Sequence, residues 1–123
     1  SLRYASAEVR RAALQGSLNN TQNWRERPGE ISLILDKLDW FEKQIPDLKG
    51  KLKKDAIGMA SHSFGAWTTQ MVAGMTLGRG GMTINLGDKR PKAFIAFSPS
   101  GLCGGISESS FQTMRSPCLY ITG

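Results

Sequence analysis

The sequence is organised around the stretch Ser61-His62-Ser63-Phe64-Gly65. Before it lies a short apolar run that predicts a strand over about 56–60, and after it a run that predicts a helix over about 64–76. A strand, a tight turn and a helix in this order would lift the hydroxyl of Ser63 above the edge of a sheet. Such a turn strains the backbone of its central residue and brings its flanking residues close together, so Gly65 and a small residue at position 61 are needed.

This pattern is typical of a nucleophile elbow, the strand–turn–helix motif that presents a catalytic serine. The sequence departs from the usual pattern at position 61, where Ser stands in place of Gly and adds a hydroxymethyl group. A short string with two serines and a glycine is common by chance in a chain rich in both residues. The flanking strand and helix therefore favour the elbow over the alternative, a plain strand-to-helix turn.

Two further apolar runs predict strands in the second half of the chain. The run 93–97 is continuously apolar, which predicts a strand buried on both faces of a parallel sheet, and the run 118–121 predicts the last strand. Strands that alternate with helices indicate an α/β fold, with a mostly parallel sheet and flanking helices. In such folds the chemistry gathers at the carboxyl ends of the strands. Ser63, the turn 98–100 and Gly123 should lie at that edge.

The other predicted elements complete the outline of the fold. The helix that follows Ser63 should be stopped by the glycines of 78–81. The rest are, in chain order, a helix over 1–15 that ends near Gly16, a polar loop over 16–29, a helix from Glu30 to Gln44 or Ile45 that Pro46 ends, a basic connector over 47–54, an irregular connection over 82–91 and a short helix over 107–114.

Length, charge and cysteine content narrow the function classes. The 123 residues are short for a complete α/β domain of this kind, and both ends look cut, so we expect an internal piece of a larger domain. No apolar run is long enough for a membrane span. The net charge of +6 comes from basic clusters without interleaved aromatic residues, which favours solvated loops over a nucleic-acid surface. With one histidine and no C-x-x-C motif, the chain predicts no zinc site, and Cys103 and Cys118 are expected to be thiols.

Several segments resemble the dienelactone hydrolase-like and platelet-activating-factor-acetylhydrolase-like α/β-hydrolases. The elbow is the most specific of them, because the usual wording in those proteins is Gly-His-Ser-Phe-Gly followed by Ala or Gly. The resemblance extends over about residues 24–123. The segments that carry it are Arg27–Glu30 with the helix after it, Asp55–Gly74, Ala93–Ser100 and Ser116–Gly123.

This resemblance implies the central part of an α/β-hydrolase fold and a serine hydrolase that cleaves carboxylic esters through an acyl-enzyme. Ser63 matches the catalytic nucleophile, and the backbone N–H of Phe64 matches one oxyanion donor. The implied partner is a small-molecule ester, with no nucleic acid, cofactor or metal ion in the chemistry. The first strands of the domain, the second oxyanion donor, and the loops with the catalytic acid and histidine would lie outside this chain. These 123 residues alone should therefore be inactive.

No residue of the chain fits well as the catalytic histidine or as the catalytic acid. His62 is the only histidine, and adjacent side chains in an elbow point apart, so a packed turn residue is the better interpretation than a base. Asp88 precedes a strand and should lie at the opposite edge of the sheet. Glu108 lies in a short polar segment. We expect both acids to be surface residues.

Two rival functions stay open at this point. One is a non-catalytic relative of the α/β-hydrolases used for binding or scaffolding, which Ser61 in the elbow mildly favours. The other is a basic α/β module that binds nucleic acid through charge alone.

Overall fold

A computed structural model of the protein describes residues 6–99, 101–102 and 105–123. The helices are α1 (Ala7–Asn19), α2 (Thr21–Asp36), α3 (Leu38–Gln44) and α4 (Phe64–Val72). The strands are β1 (Ile57–His62), β2 (Thr76–Arg79), β3 (Met82–Asn85), β4 (Pro91–Phe97) and β5 (Cys118–Ile121). Two short 3₁₀ turns, Pro46–Leu48 and Glu108–Phe111, lie between these elements.

Strands β1, β4 and β5 form a parallel sheet in that order. The register sets Ala60 beside Ile95 and Ile95 beside Leu119. Because parallel neighbours need a crossover, α4 carries the chain from the end of β1 back toward the start of β4. The prediction of a mixed α/β fold with a parallel sheet and flanking helices is therefore confirmed. The three strands predicted in the sheet are all present.

Helix α4 is the centre of the core. Every residue from Ala66 to Val72 is buried, because α4 contacts the sheet through β1 and β4 and contacts α2 on another side. Val72 and Ala73 pack on Phe94 of β4. A second apolar cluster lies beyond the helix and joins it to β2 and the segment before the second 3₁₀ turn: Trp67, Met71, Met75, Leu77 and Ile106.

The other face of the sheet is exposed, which contradicts the prediction that the 93–97 strand is buried on both faces. Phe94 and Ala96 are buried toward α4, whereas Phe97 is 37% exposed. On the neighbouring strand Leu119 and Ile121 are also exposed. The reason is that, within the described ranges, the helices packed on the sheet lie on one side of it.

Helix α2 begins earlier than predicted, since the segment 16–29 is not a polar loop. Helix α1 runs through Gly16 to Asn19, and α2 starts at Thr21 and contains Pro28. The side chain of Asn20 caps α2 by accepting a hydrogen bond of 3.0 Å from the N–H of Gln22. Tertiary packing overrides the turn-forming composition here, because Pro28 is fully buried in the folded chain.

The helix predicted from Glu30 is divided at Lys37. Lys37 has φ −99° and ψ 5°, so α2 ends at Asp36 and α3 begins at Leu38. The predicted end at Gln44 is confirmed, with Pro46 starting a 3₁₀ turn. The basic connector after it is held to α3, since the ammonium of Lys54 pairs with the carboxylates of Asp39 and Glu42.

The segment after α4 is a β-hairpin, so the predicted helix does not reach residue 76, and the irregular connection predicted over 82–91 is confined to residues 86–90. Helix α4 stops at Val72 because Gly74 adopts φ 102° and closes a Schellman motif. In that motif the N–H of Met75 donates to the carbonyl of Gln70 over 2.9 Å. Gly80 and Gly81, at φ 57° and 77°, then form the turn between antiparallel β2 and β3.

The short helix predicted over 107–114 is reduced to the 3₁₀ turn Glu108–Phe111, which Ser107 caps. The first predicted helix continues past Gly16 and ends at Asn19, so Gly16 lies in the last turn of α1, near the predicted end. Residues 1–5 of that predicted helix, together with Ser100, Cys103 and Gly104 of the loop after β4, lie outside the described residues.

A charged network ties α2 to the start of β4. The Arg90 guanidinium donates to the carboxylates of Asp88 and Asp36, each at 2.6 Å, and to the carbonyl of Ser32. The Ser32 hydroxyl donates to Asp88 over 2.8 Å. These hydrogen bonds, led by that from Arg90, hold the pKa of Asp88 well below its usual range. Asp88 therefore lies before β4, away from the elbow, as predicted, but it is a largely buried partner of Arg90 and not the surface residue that we expected.

Replacing Asp88 with Asn should lower the free energy of unfolding at pH 7 by about 1–3 kcal/mol, because a charge-assisted network loses its acceptor. Since folding lowers the pKa of Asp88, its contribution is complete above about pH 5 and shrinks as the pH falls below the unfolded-state value of about 3.9. The difference in the free energy of unfolding between the Asp88→Asn variant and the unchanged protein should therefore be smaller at acid pH. Urea unfolding at pH 7 and at pH 3.5 measures both effects.

The matched control is Asp47→Asn, which removes an exposed carboxylate on the first 3₁₀ turn. It should change stability little at either pH. Equal losses in the two variants would show that the network contributes nothing beyond net charge.

Candidate active site

Ser63 occupies a strained backbone conformation at the junction of β1 and α4. Its φ is 56° and its ψ is −119°, a region that residues with a Cβ rarely adopt. The N–H of Ser63 still extends the sheet by donating to the carbonyl of Phe97 over 2.9 Å, and its own carbonyl accepts from the N–H of Trp67. One residue therefore ends the strand and begins the helix, and its side chain is left exposed at the carboxyl edge of the sheet.

The turn closes because Gly65 approaches Ser61 closely. A Cβ on Gly65 would lie 2.9 Å from the Cβ of Ser61 and 3.1 Å from its Oγ, so position 65 cannot carry a side chain without displacement. Ser61 fits despite its hydroxymethyl group because its Oγ lies 2.5 Å from the Oγ1 of Thr69, which is fully buried on α4. The departure from glycine at position 61 thus adds a hydrogen bond between β1 and α4.

The first turn of α4 is fixed by an aromatic cluster made of Trp24, Phe64 and Trp67. The ring centroids of Trp24 and Trp67 are 4.8 Å apart, and those of Phe64 and Trp67 are 5.9 Å apart. Arg27 of α2 lies over the Phe64 ring at 4.6 Å. The first N–H groups of a helix have no intrahelical acceptor, so the N–H of Phe64 is available beside Ser63.

A second serine at the same edge also has a positive φ. Ser98, at φ 48°, follows β4 as Ser63 follows β1, and its N–H donates to the carbonyl of Ile121 over 2.8 Å. Because His62 is aligned with Phe97, the two serines lie side by side where their strands end. The sheet thus brings together Ser63 and the start of the 98–100 turn, as its parallel order predicted. Gly123 lies two residues beyond the end of β5.

The remaining candidate residues do not converge on Ser63. His62 is the last residue of β1, and strand alternation places it on the face opposite Ser61 and α4. Asp88 is engaged by Arg90, and Glu108 is an exposed residue at the start of the second 3₁₀ turn. In the part of the chain that the structure describes, no group of three or more His, Cys, Asp or Glu side chains could hold a metal ion.

Cys118 is a free cysteine, as expected, and it lies on the α4 side of the sheet together with Tyr120, which sequence reasoning did not single out. Burial raises the pKa of the Cys118 thiol, and burial likewise raises the pKa of Tyr120 to about 12. Both groups are therefore neutral at pH 7, which makes neither a thiolate nucleophile nor a base. The alternating pattern of β5 could have indicated that these two side chains share one face of the sheet, but not that Cys118 is partly buried while Tyr120 is 39% exposed.

Comparison with known proteins found no match to this chain. A scan against protein-family models gave no match, and searches of curated proteins and of solved structures gave none either. Among the helices in the described ranges, none has the length and apolar character needed to cross a membrane.

Replacing Gly65 with Ala should destabilise the protein by about 1–3 kcal/mol, because the added methyl overlaps Ser61 in a packed turn. The control Gly29→Ala adds the same methyl inside α2, where nothing lies within 4 Å, and should be neutral or stabilising by up to about 1 kcal/mol. In a Ser61→Gly background the penalty of Gly65→Ala should shrink, since the clashing atoms are gone. Thermal and urea unfolding of the four variants measure this coupling. An unchanged penalty in that background would mean that the two residues do not crowd each other.

Proposed function

We propose that the protein is a serine hydrolase of the α/β-hydrolase type, in which Ser63 attacks carboxylic esters. The observation that carries the proposal is the backbone of Ser63, a non-glycine residue held at φ 56° and exposed at the carboxyl edge of a parallel sheet. Strain of this kind persists only where the surrounding structure enforces it, and it clusters at functional sites. A strained, exposed serine between a strand and a helix is the arrangement that presents a nucleophile.

The proposed reaction proceeds through an acyl-enzyme. The Oγ of Ser63 attacks the ester carbonyl, a histidine takes the hydroxyl proton, and the alkoxide leaves as an alcohol after receiving that proton. Water then attacks the acyl-serine and releases a carboxylic acid and free Ser63. The N–H of Phe64 would donate to the oxyanion in both tetrahedral intermediates, with support from the positive end of α4.

The proposal requires a base and an acid from residues beyond the 123 printed here. The single histidine, His62, is placed on the far face of β1, and Asp88 is committed to Arg90. One missing oxyanion donor alone lowers a rate by about 10²–10³. The 123 residues by themselves should therefore hydrolyse esters no faster than their Ser63→Ala variant.

The test is labelling by a fluorophosphonate probe in the complete gene product, with peptide mapping by mass spectrometry. We expect a covalent adduct on Ser63, and we expect Ser63→Ala to abolish labelling and to lower p-nitrophenyl ester turnover by about 10⁴-fold or more. Ser98→Ala is the matched control, because Ser98 is also a serine at positive φ on the same edge. The Ser98→Ala variant should keep both the labelling on Ser63 and the ester turnover of the unchanged protein.

The result that contradicts the proposal is a folded complete protein that carries no label on Ser63. That outcome would favour the second candidate, a non-catalytic binding or scaffold protein. The observation that favours this second candidate is the hydrogen bond between the hydroxyls of Ser61 and Thr69, since it stabilises the turn whether or not Ser63 reacts.

A further inference from the structure

A cavity of about 240 Å³ lies beside α4, on the side away from the sheet. It is enclosed by α2, α4 and the β2–β3 hairpin. Its apolar lining consists of Trp24, Trp67, Met71, Leu77, Ile84 and Leu86. The hairpin contributes two of these side chains and the segment after it contributes one, so the cavity exists because the chain after α4 turns back as strands rather than continuing as a helix.

Two arginines complete the wall of this cavity. Arg25 projects from α2 and Arg79 from the end of β2, and both are exposed. Neither guanidinium has a carboxylate within ion-pair distance among residues 6–99, 101–102 and 105–123. By contrast, Arg90 has two carboxylate partners. Two unpaired guanidinium groups at the mouth of an apolar cavity favour an anion there.

The cavity also has an unpartnered polar group in its wall. Trp67 is 2% exposed, and its indole Nε1 has no hydrogen-bond acceptor in the described part of the chain. Buried donors are normally paired, and an unpaired one calls for an explanation such as a missing ligand or water. The same side chain lines the cavity.

We propose that this cavity binds a small amphipathic carboxylate, such as a medium-chain aliphatic acid. Its carboxylate would lie between Arg25 and Arg79, and its apolar body would fill the space between Trp67 and the hairpin. At about 240 Å³ the cavity is smaller than the roughly 300–1,000 Å³ typical of sites for drug-sized ligands, so it suits a medium-chain tail better than a long one.

The site is distinct from Ser63. Along α4, Trp67 and Met71 are four and eight residues beyond Ser63, which is about 6 and 12 Å along the helix axis. The Phe64 ring and Arg27 lie at the Ser63 end of this face. The proposal therefore stands whether or not Ser63 is a nucleophile.

The test is a titration of the 123-residue chain with sodium octanoate, followed by tryptophan fluorescence in a Trp40→Phe background. Trp40 lies on α3 and does not line the cavity, so its removal leaves Trp24 and Trp67 as reporters. We expect saturable binding of octanoate that weakens with added salt. Octan-1-ol, which has the same tail without the charge, should bind at least tenfold more weakly.

Substitutions test where the carboxylate and the alkyl tail of octanoate bind. Arg25→Gln with Arg79→Gln should weaken octanoate binding at least tenfold and leave octanol binding unchanged. The matched control, Arg10→Gln with Arg11→Gln, removes the same charge from exposed positions on α1 and should leave both affinities unchanged. Ile84→Trp should fill the cavity and abolish binding of both molecules, with circular dichroism confirming that each variant is folded.

Three outcomes would overturn the proposal. They are the absence of saturable octanoate binding at millimolar concentration, equal affinity for octanoate and octanol, and equal losses in the two double-arginine variants. Retained octanoate affinity in a folded Ile84→Trp variant would likewise place the ligand elsewhere.

Discussion

The structure depends on the left-handed backbone at Ser63. Such a conformation costs about 1–3 kcal/mol for a residue with a side chain, and neighbouring contacts must offset that cost. On the strand side, the Ser63 N–H is held by the carbonyl of Phe97. On the helix side, α4 is buried over seven consecutive residues, Ala66–Val72. The strand and the helix are each fixed independently, so the residue between them has no freedom to relax.

Close approach of the Gly65 backbone to the side chain of Ser61 makes this arrangement possible. Gly65 leaves room for Ser61, and Ser61 reaches Thr69, so β1 and α4 are joined by a contact that begins within one turn of Ser63. The aromatic cluster then fixes the direction of α4 from its outer side, through Trp24 of α2. Helix α2 thus holds the start of α4 in place, and Pro28 is tolerated within α2 because its ring is fully buried.

Sequence reasoning succeeded where a local pattern and its tertiary contacts agree. The strand–turn–helix geometry around Ser63, the 93–97 and 118–121 strands, and the helix end before Pro46 all follow from short-range rules on apolar runs, glycine and proline. It failed at α2, where Asn19-Asn20 and Pro28-Gly29 are typical of turns but the packing of Trp24 and Pro28 stabilises a helix. It also failed after α4, because Gly74 ends the helix earlier than the glycines of 78–81, and those glycines form a hairpin turn instead.

The exposed face of the sheet shows a further limit of such patterns. The run 93–97 has the composition of a strand covered on both faces, yet in the described residues α4 covers one face while Phe97, Leu119 and Ile121 are exposed on the other. The composition of a strand indicates the environment for which the strand is suited. Whether the strand is buried depends on which other elements of the chain pack against it. The same distinction applies to the candidate site. The residues 61–65 and their neighbours determine the strained turn locally, but the base and the acid that the proposed hydrolase requires would come from distant residues, and a local pattern carries no information on them.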